Sequence, residues 1–390
     1  MTRTSPRLLP IAVAAIAVLG LSACSSASVG SAAGGGAAAS AAAADYSSIV
    51  PTGDVLAASK ELVAASIGAT EGFTPPSTGP TAQKAGAKIA FVGSDLTNGG
   101  VNAVSSGVME AAGVIGWTVD VYDGKATAQG RTDAMNQAIA SAPAAIVVGG
   151  FDPTEQASSI AQAKDAGIPV LGWHSGAATG PGNGLFTNVS TDPLAVSQLA
   201  AAFAVADSDG TAGVAIFTDG QYDIAVEKAD AMKAYIEACS GCSVVSYEDS
   251  PIAEADQRMP GLIANLLQAH SDDLTYLLAI NGNYFGGAQQ ALRAAGTDPA
   301  GTPKSVAAGD GDAAEFQRIR NEDYQAATVA EPLELQGWQL VDEINRALAG
   351  EEASDFVAAP GLITKQNVPS GDLFDPASGY RDDYRTLWGK

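Results

Sequence analysis

Histidine, cysteine and basic side chains are scarce in this chain of 390 residues, which has two histidines and three cysteines. So few ligands of these types exclude a histidine-rich metal centre and a scaffold built on many disulfides. Lys and Arg number 20 against 43 Asp and Glu, so the formal net charge is −23. A surface this acidic repels phosphate backbones, which argues against a nucleic acid as partner.

Apolar residues make up 46% of the chain and charged residues only 16%, so it can bury sizeable cores in two domains of ordinary size. The apolar run 8–21 follows Arg3 and Arg7. It is shorter than the roughly 20 residues that a membrane-spanning helix needs, and it is typical of a secretory signal. No other segment is predicted to span a membrane.

The residues Leu-Ser-Ala-Cys that end at Cys24 resemble the lipobox of bacterial lipoproteins. The resemblance implies a signal peptide over 1–23, cleavage before Cys24 and acylation of its thiol. The protein is then expected outside the cytoplasm, held by lipid to the outer face of the cell membrane. An ordinary signal with a chance cysteine is the alternative.

Residues 24–83 are interpreted as a lipidated tether and an N-terminal extension. The part 25–45 is almost all Ala, Ser and Gly, a composition that favours a flexible tether. Residues 53–67 resemble one short helix with Asp54 as its cap, and the proline-rich link 74–80 precedes a globular body that begins near Lys84.

Short runs rich in Val and Ile alternate with stretches of helical periodicity from there on. Strands are predicted at 88–93, 117–122, 144–149, 168–172, 212–217, 243–247, 274–280, 304–308 and 326–330, and helices at 100–114, 129–141, 154–166, 222–238, 255–269, 283–295, 312–321 and 334–349. The strand runs are nearly all apolar, as strands buried on both faces should be. The fold class is therefore α/β, with two doubly wound, Rossmann-like lobes of parallel sheet.

Ligands of open parallel sheets lie outside the carboxyl ends of the strands, so the loops at these ends supply the candidate site residues. These candidates are Ser94, Asp95, Asn98, Asp152, Trp173, His174, Ser175, Tyr222, Asn281, Tyr284, Asp310 and Glu331. Polar groups interleaved with flat aromatic faces suit a molecule with many hydroxyl groups.

The sequence contains few motifs of a catalytic or cofactor site. The chain has no G-x-x-x-x-G-K-[ST] loop, and no metal or cofactor is predicted. His174 and Ser175 are adjacent but lack the G-x-S-x-G turn of a hydrolase. Asp95 and Asp152 fit either the paired carboxylates of a glycosidase or the acceptors of a sugar pocket, and the sequence leaves both open.

Cys239 and Cys242 have the C-x-x-C spacing, with no second pair to complete a zinc site. In an exported chain a small structural disulfide is the preferred interpretation, with redox activity and free thiols as the alternatives.

Four segments carry a resemblance to a known family. The strand 88–93 running into Ser-Asp-Leu-Thr-Asn (94–98) is similar to the opening of type I periplasmic sugar-binding proteins of the ribose-binding kind. Ala-Gly-Ile-Pro-Val (166–170), Ala-Ile-Asn-Gly-Asn (279–283) and Ala-Ala-Gly-Asp-Gly (307–311) resemble later segments of that family. The match runs in order over about 85–365.

The resemblance implies two lobes that close on a ligand about a three-segment hinge, with crossovers near 189–192, 330–331 and 363–366. It divides the body into an N-terminal lobe (84–188 plus 331–363) and a C-terminal lobe (189–330 plus 364–390). It also implies a monomeric, non-catalytic receptor that delivers a sugar or polyol to an ABC transporter permease. A two-lobed glycoside hydrolase and a surface protein-interaction module are the alternatives.

Carried over by position, the family's pocket falls on Ser94, Asn98, Asp152, His174, Ser175, Asn281, Asp310 and Glu331. Val226 stands where the family has an arginine on the helix after the fourth loop. A pocket with several carboxylates and no arginine is expected to prefer a neutral polyol or a cationic ligand over a sugar acid.

Overall fold

The computed structural model describes residues 45–390. The predicted signal peptide, the lipid anchor at Cys24 and nearly all of the tether lie outside the described residues. Among the described residues, no helix has the length and apolar character needed to cross a bilayer.

Helices and strands alternate through most of the described chain. In order they are α1 (Val55–Ser66), β1 (Lys88–Gly93), α2 (Gly99–Val114), β2 (Thr118–Asp123), α3 (Ala128–Ala140), β3 (Ile146–Gly149), α4 (Ala157–Asp165), β4 (Val170–Trp173), β5 (Gly180–Gly182), β6 (Leu185–Val189), α5 (Pro193–Asp207), β7 (Gly213–Thr218), α6 (Asp223–Ala238), β8 (Ser243–Asp249), α7 (Ala255–Ala269), β9 (Tyr276–Ala279), α8 (Phe285–Ala295), β10 (Lys304–Ala307), α9 (Ala313–Asn321), β11 (Gln325–Ala330), α10 (Leu333–Ala349), β12 (Gly361–Thr364) and α11 (Tyr380–Trp388). Short 3₁₀ turns precede α7 and α8.

Two six-stranded sheets define two lobes. The first sheet has the order β2-β1-β3-β4-β6-β5, and its strands pair in parallel except for the short β5. The second has the order β12-β11-β10-β9-β7-β8, with only β12 antiparallel. Central strands such as β3 and β7 are buried along their whole length, as expected of parallel strands covered by helices on both faces. The predicted α/β class with two lobes is confirmed.

Five segments of the described chain pass between the lobes, at 67–73, 189–193, 330–333, 358–361 and 368–380. Two of them agree with the crossovers predicted near 189–192 and 330–331. The third predicted crossover, near 363–366, is instead at 358–361, because β12 already belongs to the second sheet. The crossings at 67–73 and 368–380 arise because the chain outside 85–365 also changes lobe: α1 packs on α5 in the second lobe, whereas Phe73 is buried in the core of the first.

The C-terminal region divides differently from the predicted ranges 331–363 and 364–390. The apolar strand β12 pairs with β11, so it extends the sheet of the second lobe. The helix α11 instead packs on α10 in the first lobe, because Tyr380, Tyr384 and Trp388 bury their rings around Trp338.

Candidate functional site

The carboxyl ends of both sheets open onto one cleft, which holds a cavity of about 80 Å³. First-lobe residues that follow β1, β2, β3 and β4 form one wall, and second-lobe residues that follow β7, β8, β9 and β10 form the other. This is the place where open parallel sheets bind their ligands. Because the cavity is small and contacts join the two walls, the structure represents a closed arrangement of the lobes.

Eight of the twelve candidate residues line this cavity, namely Ser94, Asp95, Asn98, Trp173, His174, Tyr222, Asn281 and Asp310. The structure brings together residues that are more than 200 positions apart, as the strand-end rule predicts. Asp152, Ser175, Tyr284 and Glu331 lie elsewhere.

The loop after β1 is held by its own side chains. The Oδ1 atom of Asn98 accepts hydrogen bonds from the backbone N–H groups of Gly100 (2.9 Å) and Val101 (3.2 Å), so Asn98 caps α2. Asp95 accepts from the backbone and hydroxyl of Thr97 at 2.9 and 2.7 Å. These local bonds fix the loop while the Nδ2 of Asn98 and the hydroxyl of Ser94 remain available to the cavity.

The loop after β4 places an aromatic pair in the cleft. The rings of Trp173 and His174 stack with centroids 4.0 Å apart, and the indole N–H of Trp173 donates to Gln336 on α10 at 2.8 Å. His174 has a backbone φ of 47°, in the left-handed region, and its ring reaches Glu331 at the hinge.

Glu331 is the centre of a buried charge cluster where β11 crosses to α10. Its side chain accepts from His174 of the first lobe at 2.9 Å and from Lys228 of the second at 3.1 Å. Burial alone would raise the pKa of Glu331, but His174 and Lys228 hold it well below its usual value. With 1% of its surface exposed and both oxygens occupied, Glu331 stabilises the hinge and does not face the cavity.

Asp310 does face the cavity. It is 8% exposed, and within the described part of the chain no hydrogen bond reaches its carboxylate. Burial raises its pKa to about 6, against the opposing effects of Lys228 and His174. The carboxylate lies against the first turn of α2 in the opposite lobe, since an added Cβ on Gly100 would be 2.6 Å from its Oδ1.

The buried side chain of Glu315 packs beneath the two second-lobe loops that carry Asn281 and Asp310. Glu315 accepts from the backbone N–H of Gly311 at 3.0 Å and from Gln325 at 2.6 Å. Its side chain fills the space beside Gly282, the residue after Asn281. Burial raises the pKa of Glu315. Asn281 and Asp310 are therefore positioned by one side chain beneath both loops.

Asp152 lies at the edge of the cleft, where it joins the lobes. Its Oδ2 accepts from the backbone N–H of Asp223, the first residue of α6, at 3.1 Å. Burial raises the pKa of Asp152, and the bond from Asp223 opposes that shift. The nearby ring of Tyr222 lies 5.9 Å from the guanidinium carbon of Arg131. Asp152 thus makes a contact between lobes, in a side crevice next to the main cavity.

Ser175 and Tyr284 form hydrogen bonds within their own lobes and do not line the cavity. The Ser175 hydroxyl donates to the carbonyl of Val148 at 3.0 Å. The Tyr284 side chain is 0% exposed, and its hydroxyl donates to the Ser250 carbonyl at 2.8 Å. Sequence patterns place both residues at strand ends but do not reveal which way their side chains turn.

Sequence reasoning missed Lys228, Ile224 and Ile252, which all line the cavity. Lys228 lies four residues after Ile224 on the buried face of α6, a spacing that could have revealed it. A lysine therefore occupies the helix on which Val226 was matched to the family's arginine. The predicted preference for a neutral polyol or a cationic ligand assumed a pocket with several carboxylates and no arginine, and Lys228 supplies a positive charge to that pocket.

Cys239 and Cys242 are bonded to each other at the end of α6, with a Cα–Cα distance of 5.3 Å. Among the described residues no group of three or more histidine, cysteine, aspartate or glutamate side chains is placed to hold a metal ion.

Comparisons with known proteins agree with this geometry. A family model described as a periplasmic binding protein domain matches residues 89–352. A search of curated protein sequences found no match.

Several solved structures share the fold. An ABC sugar transporter subunit from Rhodobacter sphaeroides is 22% identical, with a TM-score of 0.62 over 73% of this chain and 99% of its own. A solute-binding protein from Agrobacterium vitis with bound allitol is 20% identical (TM-score 0.63, 73% and 97% coverage). One from Bacillus halodurans with bound myo-inositol is 19% identical (TM-score 0.63, 73% and 97%).

Proposed function

This chain belongs to the periplasmic binding protein domain family, and we propose that it is the extracytoplasmic receptor of an ABC importer. In this proposal a sugar or polyol binds between the lobes, the lobes close, and the permease recognises the closed form. The structural neighbours with bound allitol and myo-inositol support a polyhydroxylated ligand.

The observation that carries the proposal is the carboxylate of Asp310, buried in the cavity without a donor from the described chain. Because this carboxylate faces the cavity, it can accept a hydrogen bond from a ligand hydroxyl group, and a hydrogen bond to a charged group contributes about 1.5–3 kcal/mol. Asn281, Asn98 and Ser94 add further hydrogen-bonding groups around the same space.

Thermal-shift and calorimetric titration of the mature protein test this proposal. The panel contains allitol, myo-inositol, D-tagatose, L-arabinose, D-glucose and D-galactose. A sugar at 100 times its Kd stabilises the folded state by about 2.7 kcal/mol. Asp310→Ala should abolish the shift, and Asp272→Ala, at an exposed position outside the cleft, should leave it unchanged. The absence of any response to sugars and polyols would reject the proposal.

The proposal includes no catalysis. Asp152 is bonded to the α6 N-terminus, and a carboxylate engaged there is poorly placed to act as a glycosidase acid or base. We expect no hydrolysis of 4-nitrophenyl glycosides, and turnover that is lost in Asp152→Asn would instead establish the hydrolase alternative.

Lipid attachment at Cys24 and a monomeric state belong to the same proposal. In phase separation with Triton X-114, the expressed protein should enter the detergent phase, and Cys24→Ser should move it to the aqueous phase. Equal partitioning of the two proteins would exclude the anchor. Light scattering of Cys24→Ser should give the mass of one chain.

A further inference from the structure

Arg131, on α3 of the first lobe, is a buried cation beside the cleft, with 2% of its surface exposed. Its Nε and Nη2 atoms donate to the carboxylate of Glu155 at 2.9 and 2.7 Å, and this two-point ion pair fixes the guanidinium within its own lobe. Its Nη1 atom is buried and has no hydrogen-bond partner in the described part of the chain. This end of the guanidinium therefore depends on contacts other than hydrogen bonds.

Tyr222 supplies such a contact from the second lobe. Its ring lies 5.9 Å from the guanidinium carbon of Arg131, and the first-lobe ring of Phe151 lies at the same distance. An aromatic ring attracts a cation within about 6 Å, more strongly where water is excluded. Burial raises the pKa of Tyr222 and the positive charge of Arg131 opposes that shift, so the two side chains interact across the cleft.

Tyr222 packs against the cores of both lobes. It is a partly buried neighbour of the second-lobe core, and also of the first-lobe cluster that contains Val148 and Phe151. Its backbone is fixed to the start of α6, because its carbonyl accepts from the N–H groups of Ala225 and Val226 at 3.0 and 3.1 Å. The ring must therefore move with the second lobe and leave the first-lobe cluster when the lobes separate.

On the basis of the proposed function, we propose that the contact between Arg131 and Tyr222 stabilises the closed form, and that Arg131 is a positioning residue for ligand binding. Arg131 does not line the cavity, so it acts through the ring of Tyr222, which does. A contact that favours the closed form increases the affinity for every ligand that closes the lobes by the same factor. Arg131 should therefore affect how tightly sugars bind but not which sugar is preferred.

Calorimetry on a double-substitution cycle tests this inference, with the sugars that bind in the thermal-shift panel. Arg131→Met keeps a long side chain and removes its charge, and it should weaken the binding of each sugar by the same factor, about fivefold. The same substitution made in Tyr222→Leu should have little effect, because the ring that it contacts is already absent. Equal weakening in both backgrounds would show that Arg131 acts only through Glu155 and would overturn the inference, as would unchanged affinity in Arg131→Met.

Tyr122→Leu is the matched control for Tyr222→Leu. Tyr122 is half-buried on β2 and packs against the same first-lobe cluster, but from within that lobe. Its replacement should leave the affinity for sugars unchanged, whereas Tyr222→Leu should weaken binding at least as much as Arg131→Met does. Equal loss of affinity in the two leucine variants would show that the contact between the lobes has no special part in binding.

Small-angle X-ray scattering of the ligand-free protein distinguishes failure of this inference from failure of the proposed function. Arg131→Met should increase the radius of gyration, and it should add no further increase to Tyr222→Leu. If sugars bind but the two substitutions weaken binding independently, the inference is wrong and the receptor function stands. If no sugar or polyol binds, the proposed function fails, and equal radii for Arg131→Met and the unsubstituted protein would then reject the inference as well.

Discussion

At the scale of single residues, the charges around Glu331 are the most constrained feature of the cleft. One carboxylate connects a lysine of the second lobe with a histidine of the first, at a point where the chain crosses between the lobes. A buried ion pair does not by itself stabilise a fold strongly, because desolvation offsets attraction. Removal of one partner, however, leaves the other charge buried and unpaired.

Glu331→Gln should therefore lower the free energy of unfolding by about 3 kcal/mol, because Lys228 then remains buried at 5% exposure without its counter-charge. Urea unfolding of the ligand-free protein measures this change. The double variant Glu331→Gln with Lys228→Met should recover part of the loss, since both charges are then absent. Equal destabilisation of the single and double variants would contradict this account.

A second prediction concerns how the contribution of Asp310 to folding stability depends on pH. Its folded pKa of about 6 lies above the ordinary value of 3.8, so folding takes up a proton here. The resulting stabilisation is complete below about pH 4 and is lost as the pH rises through 6, with a full size of about 3 kcal/mol. Asp310→Asn removes this dependence.

We therefore expect the stability of Asp310→Asn, relative to that of the unsubstituted protein, to increase as the pH rises from 4 to 7. The measurement is the difference in unfolding free energy between the two proteins across that range. Lys228, His174, Glu331 and Asp312 are the charged neighbours of this carboxylate, and all four are retained in the variant. A difference that stays constant with pH would show that Asp310 titrates normally.

The candidate residues also show how far sequence reasoning reaches at this scale. The rule that ligands bind at strand ends placed Ser94, Asn281 and Asp310 around one cavity because it depends only on chain topology. It cannot tell that the Tyr284 side chain turns into the core, since that depends on the space left by packed neighbours. Glu331 illustrates the same limit, because its two charged partners come from one distant loop and one distant helix.

At the scale of elements, strand and helix patterns predicted the central βα units well and the accessory elements poorly. The helix α5 was missed because it is buried on nearly every side, so its sequence lacks an amphipathic period. Its start was nonetheless marked by Asp192, which caps it, and by Pro193 at the first turn. The strand β12 has only four residues, and its antiparallel pairing with β11 depends on tertiary contacts.

The α6 N-terminus supports a third prediction. Asp152 caps it from the opposite lobe, so this hydrogen bond exists only when the lobes are closed. Asp152→Ala should remove about 1 kcal/mol of the free energy that favours closure. Ligand binding should weaken by about fivefold, and the ligand-free protein should be more open in small-angle X-ray scattering.

Asp54→Ala is the matched control for this variant. Asp54 caps α1 through the backbone N–H of Ala57, at 3.0 Å and within one lobe. The Asp54→Ala substitution should reduce the free energy of unfolding by a similar amount without changing either the radius of gyration or the ligand affinity. If Asp152→Ala behaves like Asp54→Ala in scattering and binding, its cap has no part in closure.

At the scale of the whole molecule, the segments outside 89–352 strengthen the connection between the lobes. Ile67, just after α1, forms a bridge with Leu362 of β12 in the second lobe. Five residues later the carbonyl of Gly72 accepts from Ala359 at 3.1 Å, and Phe73 enters the first core. The family pattern in the sequence did not predict this because it covers only the central units.

These extra crossings should restrict how far the lobes open, because each additional covalent segment must stretch or rotate during hinge motion. A protease site inserted between Ala69 and Thr70, followed by cleavage, should widen the distance distribution between dyes at Lys164→Cys and Glu237→Cys in the ligand-free protein. Cleavage at a site inserted between Gly182 and Asn183, in a hairpin within the first lobe, controls for the cut itself. If both cuts give the same distribution as the intact chain, the crossing at 67–73 does not limit the hinge, and opening is set by the other four crossings.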